Sequence, residues 1–348
     1  MVPHPATLDH EELLVRRGRR SGAYCIVAVH STVLGAALGG CRMWHYEDTR
    51  AAMRDALRLS SAMTLKAAVA GLPLGGGKGV IALDGPVPRG AARRDVLLDF
   101  GETVDAVGGR YLTAEDVGTT TRDMAVVARA TPHVTGLPRA RGGSGDPSPW
   151  TAVGVEAAIL ATCERAFGAA TVRGRTVAVV GLGHVGLPLA RKLSRRGAKL
   201  VVADIDPAKR VEADRLGAHW MTPERALTAA VDVIAPCALG GVFDDETVPE
   251  LQVAAIAGAA NNQLAHDAVA DALDRRGILW APDFVCNAGG IINISVELGP
   301  SGYDPRRARQ RVHGVGDTLR AIFDAASDGA TPLTAATALA ERNLTRGR

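Results

Sequence analysis

Short apolar runs alternate with longer amphipathic ones along the whole chain. "AYCIVAVHS" (Ala23–Ser31) is an almost unbroken apolar run and predicts a strand. "DTRAAMRDALRLSSAMTLKAAVA" (Asp48–Ala70) predicts a helix, with Ala52, Leu57, Leu59 and Met63 supplying much of its apolar content. "KGVIAL" reads as a strand leaving a glycine loop, and "RRDVLLDFGETVDAVGG" (Arg93–Gly109) as a helix that stops at glycines. "RYLTAEDVGTTTRDM" gives a strand, a polar turn and a new helix start. Apolar residues then thin out in "TGLPRARGGSGDPSPW" (Thr135–Trp150), where Gly and Pro take over, as in a connection between domains. "TAVGVEAAILATCERAF" follows as a helix.

The next block has the clearest pattern. In "TVAVVGLGHVGLPLARKLSRRGAKLVVADID" (Thr176–Asp206), a buried strand (Val177–Val180) runs into Gly181, Gly183 and Gly186. A helix to Arg196 and a second apolar strand (Leu200–Ala203) end at Asp204. This is the βαβ dinucleotide fingerprint in its structural context. Gly181 makes the tight turn, Gly183 admits the pyrophosphate to the backbone, and Gly186 allows close helix–strand packing. His184 and Val185 lie in the same loop, whose helix N-terminus offers free N–H groups to an anion. Asp204 is placed to accept hydrogen bonds from a ribose diol and to repel a 2′-phosphate, which favours NAD over NADP. The competing reading is a glycine turn in a vestigial domain that binds nothing.

Three further apolar strands end in polar or glycine residues: "VDVIAPCALGG" (Val231–Gly241, with Cys237 and Ala238), "VAAIAGAANNQL" (Val253–Leu264, with Asn261 and Asn262) and "ILWAPDFVCNAGGIINI" (Ile278–Ile294, a strand and an Asn-Gly-rich loop with Asn287). In a parallel sheet these ends share the edge where ligands bind. From Pro305 on the pattern is helical.

The composition agrees with a folded, two-domain chain: 348 residues, 47% hydrophobic and 22% charged. A formal net charge of +3, without a basic stripe interleaved with aromatics, points away from nucleic acid and from acidic membrane surfaces. No apolar run approaches a membrane span, and the first twenty residues lack the apolar core of a secretory leader. Five cysteines, none in C-x-x-C spacing, disfavour disulfides and a cysteine-held zinc, and fit a reducing cytoplasm. No metal site is expected.

One motif resists this scheme. "GLPLGGGKGVI" (Gly71–Ile81) looks like a phosphate loop, but Leu72 stands where its first glycine should be and Gly79 where its Ser/Thr should be. Lys78 is then either a solvated lysine on a glycine turn or a catalytic group. Lys66, in the apolar stretch "MTLKAAVA", is either a snorkelling lysine or a carboxylate ligand. Two lysines converging on one site would bind a carboxylate, each lowering the other's pKa. Asp116, at a strand end, is either a helix N-cap or a proton carrier.

The chain resembles the amino-acid dehydrogenases of the glutamate, leucine, phenylalanine and valine group. The likeness spans nearly the whole chain, in "LGGCRM", "AMTLKAAVAGLPLGGGKGVIAL", "YLTAEDVGT", "GDPSPWTAVGV", the dinucleotide block, "APCALGG", "GAANNQLA" and "APDFVCNAGGIIN". It implies an α/β protein of two domains separated by a deep cleft. An N-terminal substrate and oligomerisation domain would cover residues 1–135, and a Rossmann-type NAD-binding domain 145–325. A terminal helix over about 325–348 would pack back on the first domain, and the protein would be a homo-oligomer. The resemblance makes Lys78 the general base toward water, Asp116 the proton carrier for the substrate nitrogen, and Lys66 the ligand of the α-carboxylate, aided by Gly40 and Met63. Asn262 would position the substrate. Asn261 and Asn287 would lie by the nicotinamide, and Thr151 would hydrogen-bond its carboxamide. Cys237 and Ala238 would line the cofactor site.

The substrate pocket of the leucine- and phenylalanine-type members maps to Leu38, Ala114, Ile291 and Ile294. Branched aliphatics there imply a small apolar pocket and a branched-chain amino acid, with phenylalanine or another aromatic as the alternative. Trp150 departs from the smaller residue usual before Thr151. A 2-hydroxy-acid dehydrogenase and a non-catalytic NAD sensor are the rival functions. The first would want a His base with an Arg, and the second would bind NAD without turnover.

Overall fold

The computed structural model describes residues 8–326 and 329–347. The chain divides into two compact units, each built on its own sheet.

The first unit holds strands β1 (Glu12–Arg17), β2 (Tyr24–Ser31), β3 (Ala37–His45), β4 (Gly75–Leu83) and β5 (Tyr111–Glu115), ordered β1-β2-β4-β3-β5. β1, β2 and β4 pair antiparallel, and β4, β3 and β5 parallel. Strand alternation sends Cys25, Val27 and Val29 to one face. There they meet Phe100 and Val104 of helix α2 (Gly90–Asp105) and Met124 of α3 (Thr121–Val127). Ile26 and Ala28 go to the other face, against Ala52 and Ala56 of α1 (Thr49–Val69). Full burial of a side chain such as Phe100 is worth roughly 1.5–3 kcal/mol. Asp48 caps α1 by accepting the Ala51 amide at 2.6 Å, and Thr120 with Asp123 forms a capping box on α3.

The glycine run differs from its sequence reading. Gly75–Gly77 are not a loop but the first third of β4. Glycine is needed there because neighbours press on the strand. A Cβ would lie 1.9 Å from the Ser31 carbonyl at Gly75, 2.1 Å from the Thr64 amide at Gly76, and 2.6 Å from the Tyr111 ring at Gly77. The missing side chains admit α1 and Tyr111, so the space they vacate is filled by protein.

The second unit holds β6 (Thr176–Val180), β7 (Lys199–Ala203), β8 (His219–Met221), β9 (Val231–Pro236), β10 (Val253–Ile256) and β11 (Leu279–Trp280). All are parallel, in the order β11-β10-β9-β6-β7-β8. The order reverses direction between β6 and β9, which makes their carboxyl ends a switch point. Helix α4 (Ser148–Phe167) precedes β6, and α5 (Gly186–Arg195) follows it. The Asn-Gly-rich stretch after Ile278, read as a loop, is mostly helical: Asp283–Cys286 and Gly289–Glu297. Packing explains it. A Cβ on Gly289 would lie 2.3 Å from the Trp150 carbonyl, so the two glycines let this helix sit against α4.

The units are not single stretches of chain. Ile294–Asp304 belongs with the first unit, not with the 145–325 block. Glu297 Oε2 accepts the amides of Gly136 (3.0 Å) and Ser144 (2.8 Å) and holds the segment there. The last helix, Pro332–Gly347, is shared: residues from Ala340 on belong to the first unit, where Asn343 donates to the Ala68 carbonyl at 2.8 Å. Leu333 at its start packs in the core of the second. Among the described residues no helix is long and apolar enough to cross a membrane.

Candidate active site

The alternation of three parallel strands puts one set of residues on the α1 face of the first sheet. Leu38 pairs with Gly76 and Leu112, Gly40 with Ala114, and Arg42 with Val80. Lys78 lies on β4 between Gly76 and Val80, and Asp116 follows the end of β5. Thr64 of α1 touches Gly76, which brings the turn carrying Met63 and Lys66 over this surface. Leu38, Ala114 and Lys78 are buried, while Gly40, Met63, Lys66 and Asp116 are half-buried. A Cβ on Gly40 would fall 2.7 Å from the Cβ of Asp116, so the glycine makes room for that side chain.

Lys78 Nζ donates to Asp116 Oδ2 at 2.6 Å. Arg42 Nε reaches the same oxygen at 3.2 Å. Burial alone would raise the Asp116 pKa, but the Lys78 and Arg42 charges outweigh it and hold the carboxyl at about 2. Arg42 is itself anchored: its NH1 donates to Asp55 Oδ2 at 2.9 Å, the Tyr46 hydroxyl donates to that oxygen at 2.7 Å, and Arg58 holds Oδ1 at 2.9 Å. Asp116 is no helix cap, since Thr120 fills that role. To the two expected lysines the structure adds a carboxylate: Lys78 pairs with Asp116. Arg42 was missed in the sequence reading, although its place two residues after Gly40 puts it on the same strand face. The cysteines are free, and burial pushes the Cys25 and Cys237 thiols up to about 12, which makes them poor nucleophiles at neutral pH.

The second unit carries a different site at its switch point. Gly181 turns with φ +104°, and a Cβ there would lie 2.7 Å from that of Ala238. A Cβ on Gly186 would be 1.8 Å from the Gly181 carbonyl and 3.1 Å from the Cys237 Cβ, so helix α5 starts hard against the turn. Gly183 is the contrast: it is exposed, and a Cβ on it would meet nothing within 4 Å. His184 is exposed beside it, and Val185 is the residue before α5.

Asp204 follows β7 directly, with Oδ2 accepting the Leu182 amide at 2.6 Å and Oδ1 the Asp206 amide at 2.9 Å. It thus pins the glycine loop while keeping lone pairs on both oxygens. Asn287 donates to the Ala259 carbonyl (3.1 Å) and to Asn261 Oδ1 (2.8 Å), and its own Oδ1 is buried without a partner. A buried orphan acceptor is costly unless a ligand N–H completes it. Asn262, exposed at φ 52°, is the one non-glycine residue with positive φ among those described. The Thr151 hydroxyl donates to the Pro147 carbonyl at 3.2 Å, which leaves it an acceptor for a carboxamide. Ile291 and Ile294 are buried on the Gly289–Glu297 helix, Ile294 within the first unit. Open glycine backbone, a helix N-terminus, a rim carboxylate and an orphan amide oxygen fit a dinucleotide with a carboxamide ring.

A Rossmann-type unit joined to a second α/β unit with a buried lysine–carboxylate pair defines a nicotinamide-dependent oxidoreductase. Residues 11–133 match the dimerisation domain of the Glu/Leu/Phe/Val dehydrogenases, and residues 206–328 match the Glutamate/Leucine/Phenylalanine/Valine dehydrogenase model. Residues 157–241 match the NAD-binding domain of D-isomer-specific 2-hydroxyacid dehydrogenases, a likeness limited to the nucleotide half. The chain is 44% identical to a leucine dehydrogenase of Bacillus subtilis over 98% of its length and 93% of that protein's. It is 42% identical to a valine dehydrogenase of Streptomyces virginiae, over 97% of this chain and 95% of that one. The crystal structure of L-tryptophan dehydrogenase from Nostoc punctiforme superposes with a TM-score of 0.82 at 39% identity, covering 98% of this chain and 97% of that one. The chain belongs to the Glu/Leu/Phe/Val dehydrogenase family and is an amino-acid dehydrogenase, an oxidoreductase acting on a CH–NH2 donor.

Proposed function

We propose that the chain catalyses the reversible, NAD-dependent oxidative deamination of a branched-chain L-amino acid to its 2-oxo acid and ammonia. The observation that carries this reading is the Lys78–Asp116 pair, 2.6 Å apart on the sheet face that also bears Gly40, Leu38 and Ala114. The nicotinamide, when bound, supplies the acceptor for the hydride of Cα.

The protein's own groups manage the protons and the charge. Lys66, on the α1 turn laid over β4, binds the α-carboxylate beside the backbone of Gly40, with Met63 next to it. Asp116 carries the proton of the substrate nitrogen, and the Lys78 and Arg42 charges keep its carboxyl ionised in the resting site. Lys78 is the general base toward water: it takes a proton from the water that adds to Cα and returns it to the departing ammonia. Asn262 orients the substrate. Gly181, Gly183, His184, Val185 and Gly186 hold the pyrophosphate. Thr151, Cys237, Ala238, Asn261 and Asn287 surround the nicotinamide end, where the orphan Asn287 oxygen supports a carboxamide partner. Asp204 supports NAD over NADP, because a carboxylate fixed at the strand end repels a 2′-phosphate.

Leu38 and Ala114 support an apolar side chain of modest size, as do the leucine and valine enzymes among the relatives. An aromatic substrate is the second reading, favoured by the similarity to the tryptophan enzyme. Apolar pockets discriminate by only about 1–3 kcal/mol per methylene. The dimerisation-domain match supports a homo-oligomer.

A panel of L-amino acids with NAD, read as NADH absorbance, tests the substrate. Activity peaking on phenylalanine or tryptophan replaces the branched-chain assignment. In the reverse direction, reduction of a 2-oxo acid must require ammonium; turnover without it would mean a hydroxy-acid dehydrogenase. Lys78→Ala must cost at least about 10²–10⁴-fold in kcat while NAD still binds. Unchanged function in this variant would mean a sensor.

A further inference from the structure

We propose that Asp9, His10 and His30 form a binding site for a divalent cation of the zinc class on the first unit, beside helix α1. The three side chains each offer a ligand atom, and all of these atoms lie within 4.8 Å of one another. Asp9 Oδ1 is 3.0 Å from His10 Nδ1, and Asp9 Oδ2 is 3.3 Å from His30 Nε2. Ligand atoms on a tetrahedral zinc with bonds of about 2.0–2.2 Å stand roughly 3.3–3.5 Å apart, so little movement is needed to close around an ion.

The hydrogen-bond pattern fixes which ring nitrogens carry lone pairs. The Ser60 hydroxyl donates to the Leu57 carbonyl at 2.8 Å. His10 Nε2 lies 3.1 Å from that carbonyl and 2.9 Å from Ser60 Oγ. Both oxygens can only accept from the ring, so Nε2 carries the proton and Nδ1 of the neutral ring is a bare lone pair. That nitrogen is buried, makes no hydrogen bond, and faces a carboxylate oxygen. Lone pair against carboxylate is repulsive unless a metal ion or a second ring proton lies between them. At His30, Nδ1 sits 2.8 Å from Thr64 Oγ1 and Nε2 makes a 3.3 Å hydrogen bond with Asp9 Oδ2, so Asp9 faces a ring nitrogen of each histidine. An imidazole whose far N–H is held by a carbonyl or hydroxyl is the usual arrangement behind a metal-bound histidine. Two imidazoles and one carboxylate suit zinc-class ions. The His10 side chain is 6% exposed and the Asp9 side chain 74%, so the site is rigid on its inner side and open to water on the other.

The test uses tag-free, EDTA-stripped full-length protein, with Co²⁺ as the probe. Its visible absorption reports tetrahedral nitrogen and oxygen ligation, and dialysis with elemental analysis reports stoichiometry. The expected result is about one Co²⁺ per chain, displaced by Zn²⁺. The double variant His10→Gln/His30→Gln should weaken binding at least tenfold, and so should Asp9→Asn, whose exposed side chain leaves the fold intact. His133→Gln should bind as the parent does. If the parent binds no Co²⁺ at about 1 mM, or if Asp9→Asn and the folded double variant both bind within tenfold of it, the proposal is overturned and the cluster is an imidazolium–carboxylate pair.

Discussion

Asp116 shares one carboxylate oxygen between Lys78 and Arg42, so its charge and its position have separate guardians. Its native pKa of about 2 lies below the ordinary 3.8. The depressed value means that the pair stabilises the fold fully above about pH 4 and loses that stabilisation as pH falls through 2. Asp116→Asn should therefore cost about 2 kcal/mol at neutral pH, and urea midpoints of variant and parent should converge toward pH 2. Arg42 touches Asp116 from a scaffold of Asp55 and Tyr46, so it positions the carboxylate. Arg42→Gln should lower kcat by roughly 10–100-fold and leave the KM for NAD unchanged, because misplacing a reacting group by about 1 Å costs up to 10²-fold. A kcat within twofold of the parent would remove Arg42 from the site. Lys78 and Asp116 stood out as candidates from a strand end and a glycine run, and the family resemblance gave them their roles. Arg42 did not, because an arginine among charged residues carries no mark of its partner until β3 and β5 are side by side.

Two glycines of similar sequence context have opposite roles at the level of elements. Gly77 in β4 lies against the Tyr111 ring, whereas Gly183 at the head of α5 faces open space. Gly77→Ala should destabilise the fold by about 1–3 kcal/mol in a denaturant titration, since the strand and ring cannot both stay. Gly183→Ala should leave the unfolding midpoint within error yet raise the KM for NAD at least about tenfold, because the methyl occupies ligand space (1.4 kcal/mol is a factor of ten). Loss of stability in Gly183→Ala without a cofactor defect would contradict the assigned role. Strand–turn–helix spacing marks the second glycine in the sequence. Nothing local marks the first, since its neighbour Tyr111 lies 34 positions away and only the sheet brings them together. For the same reason the run Gly75–Gly77 reads as a loop, while β-pairing with β2 and β3 makes it strand.

For the whole molecule, cofactor choice is the property that separates the two sites. On the proposed NAD reading, Asp204→Ala should lower the NAD-to-NADP ratio of kcat/KM by at least about tenfold, chiefly through NAD affinity, although Asp204 also fixes the Leu182 amide of the glycine loop. The sequence by itself determined the order of elements, the βαβ nucleotide unit with Gly181, Gly183, Gly186 and Asp204, and the catalytic candidates Lys78 and Asp116. These signals are local: periodicity, turn glycines and a carboxylate at a set distance from them. The tertiary structure alone decided that Lys78 pairs with Asp116, that Arg42 is third in the group, and that Asp9, His10 and His30 converge. It also decided that Ile294–Asp304 and the end of the last helix return to the first unit. These depend on strand register and on hydrogen bonds such as Glu297 to Gly136 and Asn343 to Ala68, which join residues more than 150 positions apart. No periodicity along the chain encodes such distances; they are set by which buried faces close on one another.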